Sequence, residues 1–187
     1  MIELDHLSTH ERFLLQPDSR GILGSKQLRG LTRFLRCHHT GRAHTIAGRL
    51  PQLLYAVARH FGDRAISIVA GYRAPRIARQ KGNPHSPHKA GRACDFKVDG
   101  VALPDLRDYL RQSFQRIGVG YYPNSGFVHL DVGRDKSAFW IDYSHPGERA
   151  QYSHDPLGDL ANGRADQRPP PPVPTAFDEG DPGMAQD

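Results

Sequence analysis

Two histidines and one carboxylate in this chain are spaced so that they could share a single cation. Ser86-Pro87-His88-Lys89-Ala90-Gly91-Arg92-Ala93-Cys94-Asp95 is answered further along by Phe127-Val128-His129-Leu130-Asp131. Imidazole nitrogens and carboxylate oxygens bind zinc at ~2.0–2.2 Å, and three such ligands leave a tetrahedral ion one open position. His88, Asp95 and His129 are therefore read as ligands of Zn2+ in a catalytic rather than a structural site. A metal so held activates water at roughly neutral pH and polarises a carbonyl oxygen. Arg73, at the mouth of a strand, is placed to steady a developing anion or a substrate carboxylate through its planar fork. Taken singly, each has a plainer reading: a surface histidine, a solvated arginine at a strand end, or, for Asp131, a turn cap or a support for His129. His38, His39, His44, His85 and His145 have no strand around them and are read as surface residues.

The elements that must position these groups follow from periodicity. Arg92 to Val98 alternates, with Cys94, Phe96 and Val98 on one face and Ala93, Asp95 and Lys97 on the other. Phe127 to Val132 does the same, turning Val128, Leu130 and Val132 inward and Phe127, His129 and Asp131 outward. It pairs with Gly118 to Tyr122 through a turn at Pro123-Asn124-Ser125-Gly126. His88 lies in the loop before the first strand, where Gly91 lets the chain turn sharply. Ala65 to Ala70 is a short buried strand, ended by Pro75, and Ala138 to Tyr143 an edge strand. Helices are expected over Ser25 to Leu35, capped by Ser25, and from Leu50 to Phe61. A brief helix covers Arg76 to Gln80, and another starts at Pro104 with Leu106, Leu110, Phe114 and Ile117 as its apolar stripe. With no strand–helix–strand repeat, the pattern is α+β: a small, mainly antiparallel sheet with helices packed on one side.

Residues 1–24 show no sustained periodicity and read as an irregular arm; 25–158 form the body, and 159–187 a Pro-rich acidic disordered tail around Pro169-Pro170-Pro171-Pro172. The net charge is +5, and residues 163–187 hold five acidic and two basic side chains, so residues 1–162 carry +8. A basic body suits an anionic partner without choosing among them. Cys37 and Cys94 are too few for a disulfide scaffold, and Cys94 reads as a buried thiol. The longest apolar run before Lys26 is Phe13-Leu14-Leu15, so neither a secretory signal nor a transmembrane segment is expected.

Four motifs in order, Gly71-Tyr72-Arg73-Ala74-Pro75, Ser86-x-His88-x-x-Gly91-x-Ala93-x-Asp95, Gly118-Val119-Gly120-Tyr121-Tyr122-Pro123 and Gly126-Phe127-Val128-His129-Leu130-Asp131, resemble the D-Ala-D-Ala metallopeptidase family. Within it the resemblance is to the murein endopeptidase K branch, and it spans about Leu31 to Tyr143. It implies an α+β zinc peptidase acting on peptidoglycan peptides in the cell envelope or periplasm. Mapped by position, His88, Asp95 and His129 correspond to the zinc ligands, Arg73 to the arginine that binds the anion or carboxylate, and Ser86 to a substrate-contacting serine. Many relatives place a Glu or His base three residues before the last ligand, where this chain has Gly126. Asp131 is the candidate base here, with orientation of His129 as the competing role.

Two rivals stand beside the peptidase. The empty position at Gly126 suits a domain that keeps its zinc and groove but only binds wall peptides, with the Pro-rich tail recruiting a protein partner. The +8 body alone suits a nucleic-acid binder, but no helix carries clustered base-reading residues and no aromatic stacking platform is evident, so no nucleic acid is expected.

Overall fold

The computed structural model describes residues 1–18, 22–80 and 85–167. Among them, seven strands form one mixed sheet: β1 (Ile2–His6), β2 (Arg12–Leu15), β3 (Ile66–Ala70), β4 (Ala93–Val98), β5 (Ile117–Tyr122), β6 (Phe127–Val132) and β7 (Ala138–Ile141). Their order across the sheet is β2-β1-β3-β4-β6-β5-β7. Four neighbouring pairs are antiparallel, and the β1–β3 and β5–β7 pairs are parallel. The expected mainly antiparallel α+β sheet is the one observed.

One face of the sheet is the core. Ile66, Ile68, Cys94, Phe96, Val98, Val128, Leu130 and Val132 pack there with apolar residues of α1 (Ser25–Phe34), α2 (Arg49–His60) and α4 (Leu103–Ser113). The stripe that called for α2 supplies Leu50, Leu53, Leu54 and Val57 to this core. These three helices therefore lie on one side, with the short α3 (Pro75–Gln80) packing separately on Cys37 and Tyr72, and the strands' alternation leaves the second face to the polar residues.

Four local expectations are corrected. Residues 2–6 and 12–15 are not an irregular arm: β1 joins β3 in parallel and carries β2 as the sheet's edge. Ile2, Leu4 and His6 all point inward, so the period of two was hidden by counting buried His6 as polar. Arg12 of β2 bridges to Glu3 and Asp5 across the ladder, which gives this edge a charged, solvent-facing side. Next, α4 ends at Ser113 instead of running on to Ile117: Phe114 is extended and Arg116 takes a positive φ of 58°, so Ile117 opens β5. Lastly, structure continues past Gly158 through α5 (Pro156–Ala161) and a 3-10 turn (Arg164–Asp166). That turn is anchored by buried Ala165 and by Asp166, which accepts hydrogen bonds from Arg107 and Tyr121. Ser25 begins α1 rather than capping it, since Gly24 holds the cap position without a side-chain bond. The Pro-rich segment lies outside the described residues.

Candidate metal centre

The strand pairing brings the three expected donors together on the face opposite the helices. Asp95 of β4 is in register with His129 of β6. His88 arrives from a 3-10 turn, Pro87–Ala90, that ends at Gly91. Gly91 has φ +63°, and a Cβ there would collide with the Thr45 carbonyl, so the turn that aims His88 at the sheet requires glycine. All three donors are withdrawn from water: His88 is 1% exposed, Asp95 2% and His129 6%.

Their atoms converge. His88 Nε2 lies 3.1 Å from Asp95 Oδ1 and 3.1 Å from His129 Nδ1, and His129 Nδ1 lies 2.7 Å from Asp95 Oδ1. The ring nitrogens facing away settle the tautomers. His88 Nδ1 is 2.6 Å from the Gly71 carbonyl, which can only accept, so this nitrogen donates and Nε2 is a lone pair. His129 Nε2 faces Asp131 Oδ2 at 3.2 Å and donates likewise, leaving Nδ1 as a lone pair. Three lone-pair atoms thus meet in a buried space, and one shared cation satisfies them all: a proton on His129, or a metal. The spacings approach the edge of a tetrahedron with bonds of ~2.0 Å, roughly 3.3 Å, so the donor set fits zinc. Among the described residues, no other group of three His, Cys, Asp or Glu gathers in this way.

The electrostatics fit a cation site. Burial pushes the Asp95 carboxyl up, but His88, Arg73 and the close approach of His129 outweigh it and hold the group well below the usual carboxylate range. Burial pushes His88 down, with Asp95 opposing and Arg73 reinforcing. His129 is the reverse: Asp131 and Asp95 flank it and draw it upward against its burial. Cys94, beneath the site on the core face, is a fully buried free thiol pushed up by burial, in line with its expected role as core filler.

Of the remaining expected residues, Arg73 follows β3 and its Nη2 donates to Asp95 Oδ2, with the side chain 23% exposed. Ser86 is buried at the entrance to the turn that carries His88. Asp131 stands behind His129, on the side away from the converging donors. Its Oδ1 accepts from Arg134 Nε at 2.6 Å, and its Oδ2 accepts from Arg134 Nη2 at 2.7 Å as well as from His129. Burial pushes Asp131 up, and His129 and Arg134 together hold it below the ordinary value. Gly126, three residues before His129, sits in the β5–β6 turn at φ +76° and brings no side chain.

Arg134 escaped the sequence reading, as did the reason Gly118 and Gly120 alternate along β5. A Cβ at Gly118 would overlap the Asp131 carboxylate and stand 2.5 Å from Arg134 Nε. The alternation of glycines opposite a histidine strand was the available signal, since a missing side chain on one strand makes room for a large one on its neighbour.

The profile of the family described as peptidoglycan L,D-endopeptidase MepK matches residues 1–138. The peptidoglycan L,D-endopeptidase MepK of Escherichia coli K12 is 33% identical over 141 residues, which is 71% of this chain and 76% of that protein. The protein of the same description from Shigella flexneri matches to the same extent. A probable peptidoglycan L,D-endopeptidase MepK of Haemophilus influenzae is 33% identical over 114 residues, 57% of this chain and 61% of the relative. No solved structure matches.

Proposed function

This chain belongs to the family described as peptidoglycan L,D-endopeptidase MepK, and on that premise we propose that it is a zinc peptidase cleaving an L,D peptide bond of peptidoglycan stem peptides or cross-links. The observation that carries the reading is the buried convergence of His88 Nε2, Asp95 Oδ1 and His129 Nδ1 inside the segment the family profile covers. These three would hold the zinc, which when bound supplies Lewis acidity toward a peptide carbonyl and activates water near neutral pH.

The chain's own groups do the rest. Gly71 and Asp131 fix the two imidazoles in the tautomers that offer lone pairs inward. Arg73 binds anionic oxygen of the substrate, because its guanidinium stands at the edge of the donor set and stays partly exposed. Ser86 shapes the substrate side of the loop that presents His88. Asp131, saturated by His129 and Arg134, is assigned to orienting His129 in preference to taking a proton from water. The rival binding module rests on Gly126 alone, and the relatives are named as endopeptidases. The substrate places the protein's work in the cell envelope; no described helix is long and apolar enough to cross a membrane.

The test is to incubate the zinc-loaded protein with murein and with purified cross-linked muropeptides, then identify products by mass spectrometry. New peptide ends are expected from the wild type and none from His88→Ala. Tight murein binding without products favours the binding module, and cleavage that survives His88→Ala refutes the metal assignment.

A further inference from the structure

One register row runs from the middle of the site face to the β7 edge: Asp95 of β4, His129 of β6, Gly120 of β5 and Trp140 of β7. Partners in such a row stand about 4.8 Å apart and point to the same face. Because Gly120 has no side chain, the Trp140 indole lies across it and reaches His129, with ring centroids 5.2 Å apart. A Cβ on Gly120 would be 2.6 Å from the indole, so the glycine is what admits it. The indole Nε1–H donates to the Tyr122 hydroxyl at 3.1 Å, and the Tyr122 ring stacks on Phe127 at 4.5 Å.

The phenol is thus held from two sides. Its oxygen is already an acceptor for Trp140, so its own proton must point elsewhere. Burial pushes the group's ionisation upward, so it stays a neutral donor. Both aromatic side chains remain partly exposed. Arg73 reaches the donors from the β3 side of the sheet, whereas Tyr122 and Trp140 approach from β5 and β7. A peptide whose scissile bond rests on the donors must extend past both.

We propose that Tyr122 and Trp140 form a substrate-positioning wall opposite Arg73, the indole packing on an aliphatic part of the stem peptide and the Tyr122 hydroxyl donating to a peptide carbonyl or carboxylate oxygen. This rests on the peptidase reading. Tyr122 acts here through ground-state binding and touches no reacting atom, so it is a positioning residue.

Trp140 is the sequence's single tryptophan, so its emission reports on this wall alone. Zinc content, kcat, KM and emission during titration with the product stem peptide are compared for wild type, Tyr122→Phe and Gly120→Ala. Tyr122→Phe is expected to keep full zinc and a kcat near wild type while raising KM about threefold to tenfold, the loss of one hydrogen bond. Gly120→Ala, which expels the indole, is expected to raise KM and abolish the emission response to peptide. Substrate with amidated carboxyl termini separates the two acceptors. If a carboxylate is bound, the amide raises KM by itself and Tyr122→Phe adds nothing; if a carbonyl is bound, the Tyr122→Phe penalty persists. An unchanged KM in both variants at full zinc content, or a loss confined to kcat, overturns the wall. If the wild type cleaves nothing, the peptidase reading fails, and the titration still decides: a saturable emission change that Tyr122→Phe weakens supports the wall, and a flat response refutes it.

Discussion

The two sides of strand β6 are equally dry and chemically opposite. Val128, Leu130 and Val132 lie in the core, while His129 and Asp131, one residue out of phase, lie in the candidate metal centre. On the first side burial is its own reward, since apolar surface leaves water and any similar volume serves nearly as well. On the second, every buried polar atom needs a particular partner, because an unpaired charge there is costly. Asp131 finds two N–H groups of Arg134 and one of His129; Asp95 accepts from Arg73 at Oδ2, and its Oδ1 meets the two imidazole lone pairs that need the same cation. The core face should therefore govern stability, and the site face metal affinity and turnover.

The sharpest break in that division is His88→Ala. It removes one of the three proposed metal donors, so on that proposal zinc measured by elemental analysis should fall from one per chain to near none, with cleavage undetectable. Equal zinc in variant and wild type would dismantle the site. Leu130→Ala probes the other face: about 2–5 kcal/mol of stability should be lost by denaturant unfolding, with zinc stoichiometry intact. A loss of zinc there would show that the faces are not separable.

Asp131→Asn is a finer test, expected to weaken zinc about 10- to 100-fold in competition with a chelator, as removal of an orienting partner does. A fall in kcat at unchanged zinc affinity would instead mark Asp131 as the base.

The smallest effect concerns His6, which is 1% exposed, accepts from the Ser8 N–H at Nδ1 and has no partner at Nε2 among the described residues. Burial, with Arg36 adding, pushes its pKa below the ordinary 6.5. As pH falls below 6.5 the unfolded chain takes up this proton before the folded one does, so stability declines. Thermal melts of His6→Gln between neutral pH and mild acid should show a shallower decline than wild type; parallel curves would remove His6 as a cause.

Much of this was legible in residue order because strand alternation is local. The phase of Arg92 to Val98 and of Phe127 to Val132 set Asp95 and His129 opposite the apolar side chains, and both strands appear as read. The helices with broad apolar stripes were equally plain. What escaped was short or non-local. β1 has only two aliphatic residues in its five, and the parallel β1–β3 and β5–β7 pairs join segments separated by helices or other strands.

The sequence by itself determined which residues could be metal donors, their faces on their strands and the α+β pattern, because side-chain type and a period of two or 3.6 are properties of neighbours along the chain. Only the tertiary structure decided which nitrogen of each histidine is the donor, that Asp131 is held by Arg134, and that Trp140 lies across Gly120 beside His129. Those outcomes depend on strand order and register, which arise where distant segments pair and leave no mark on either segment alone.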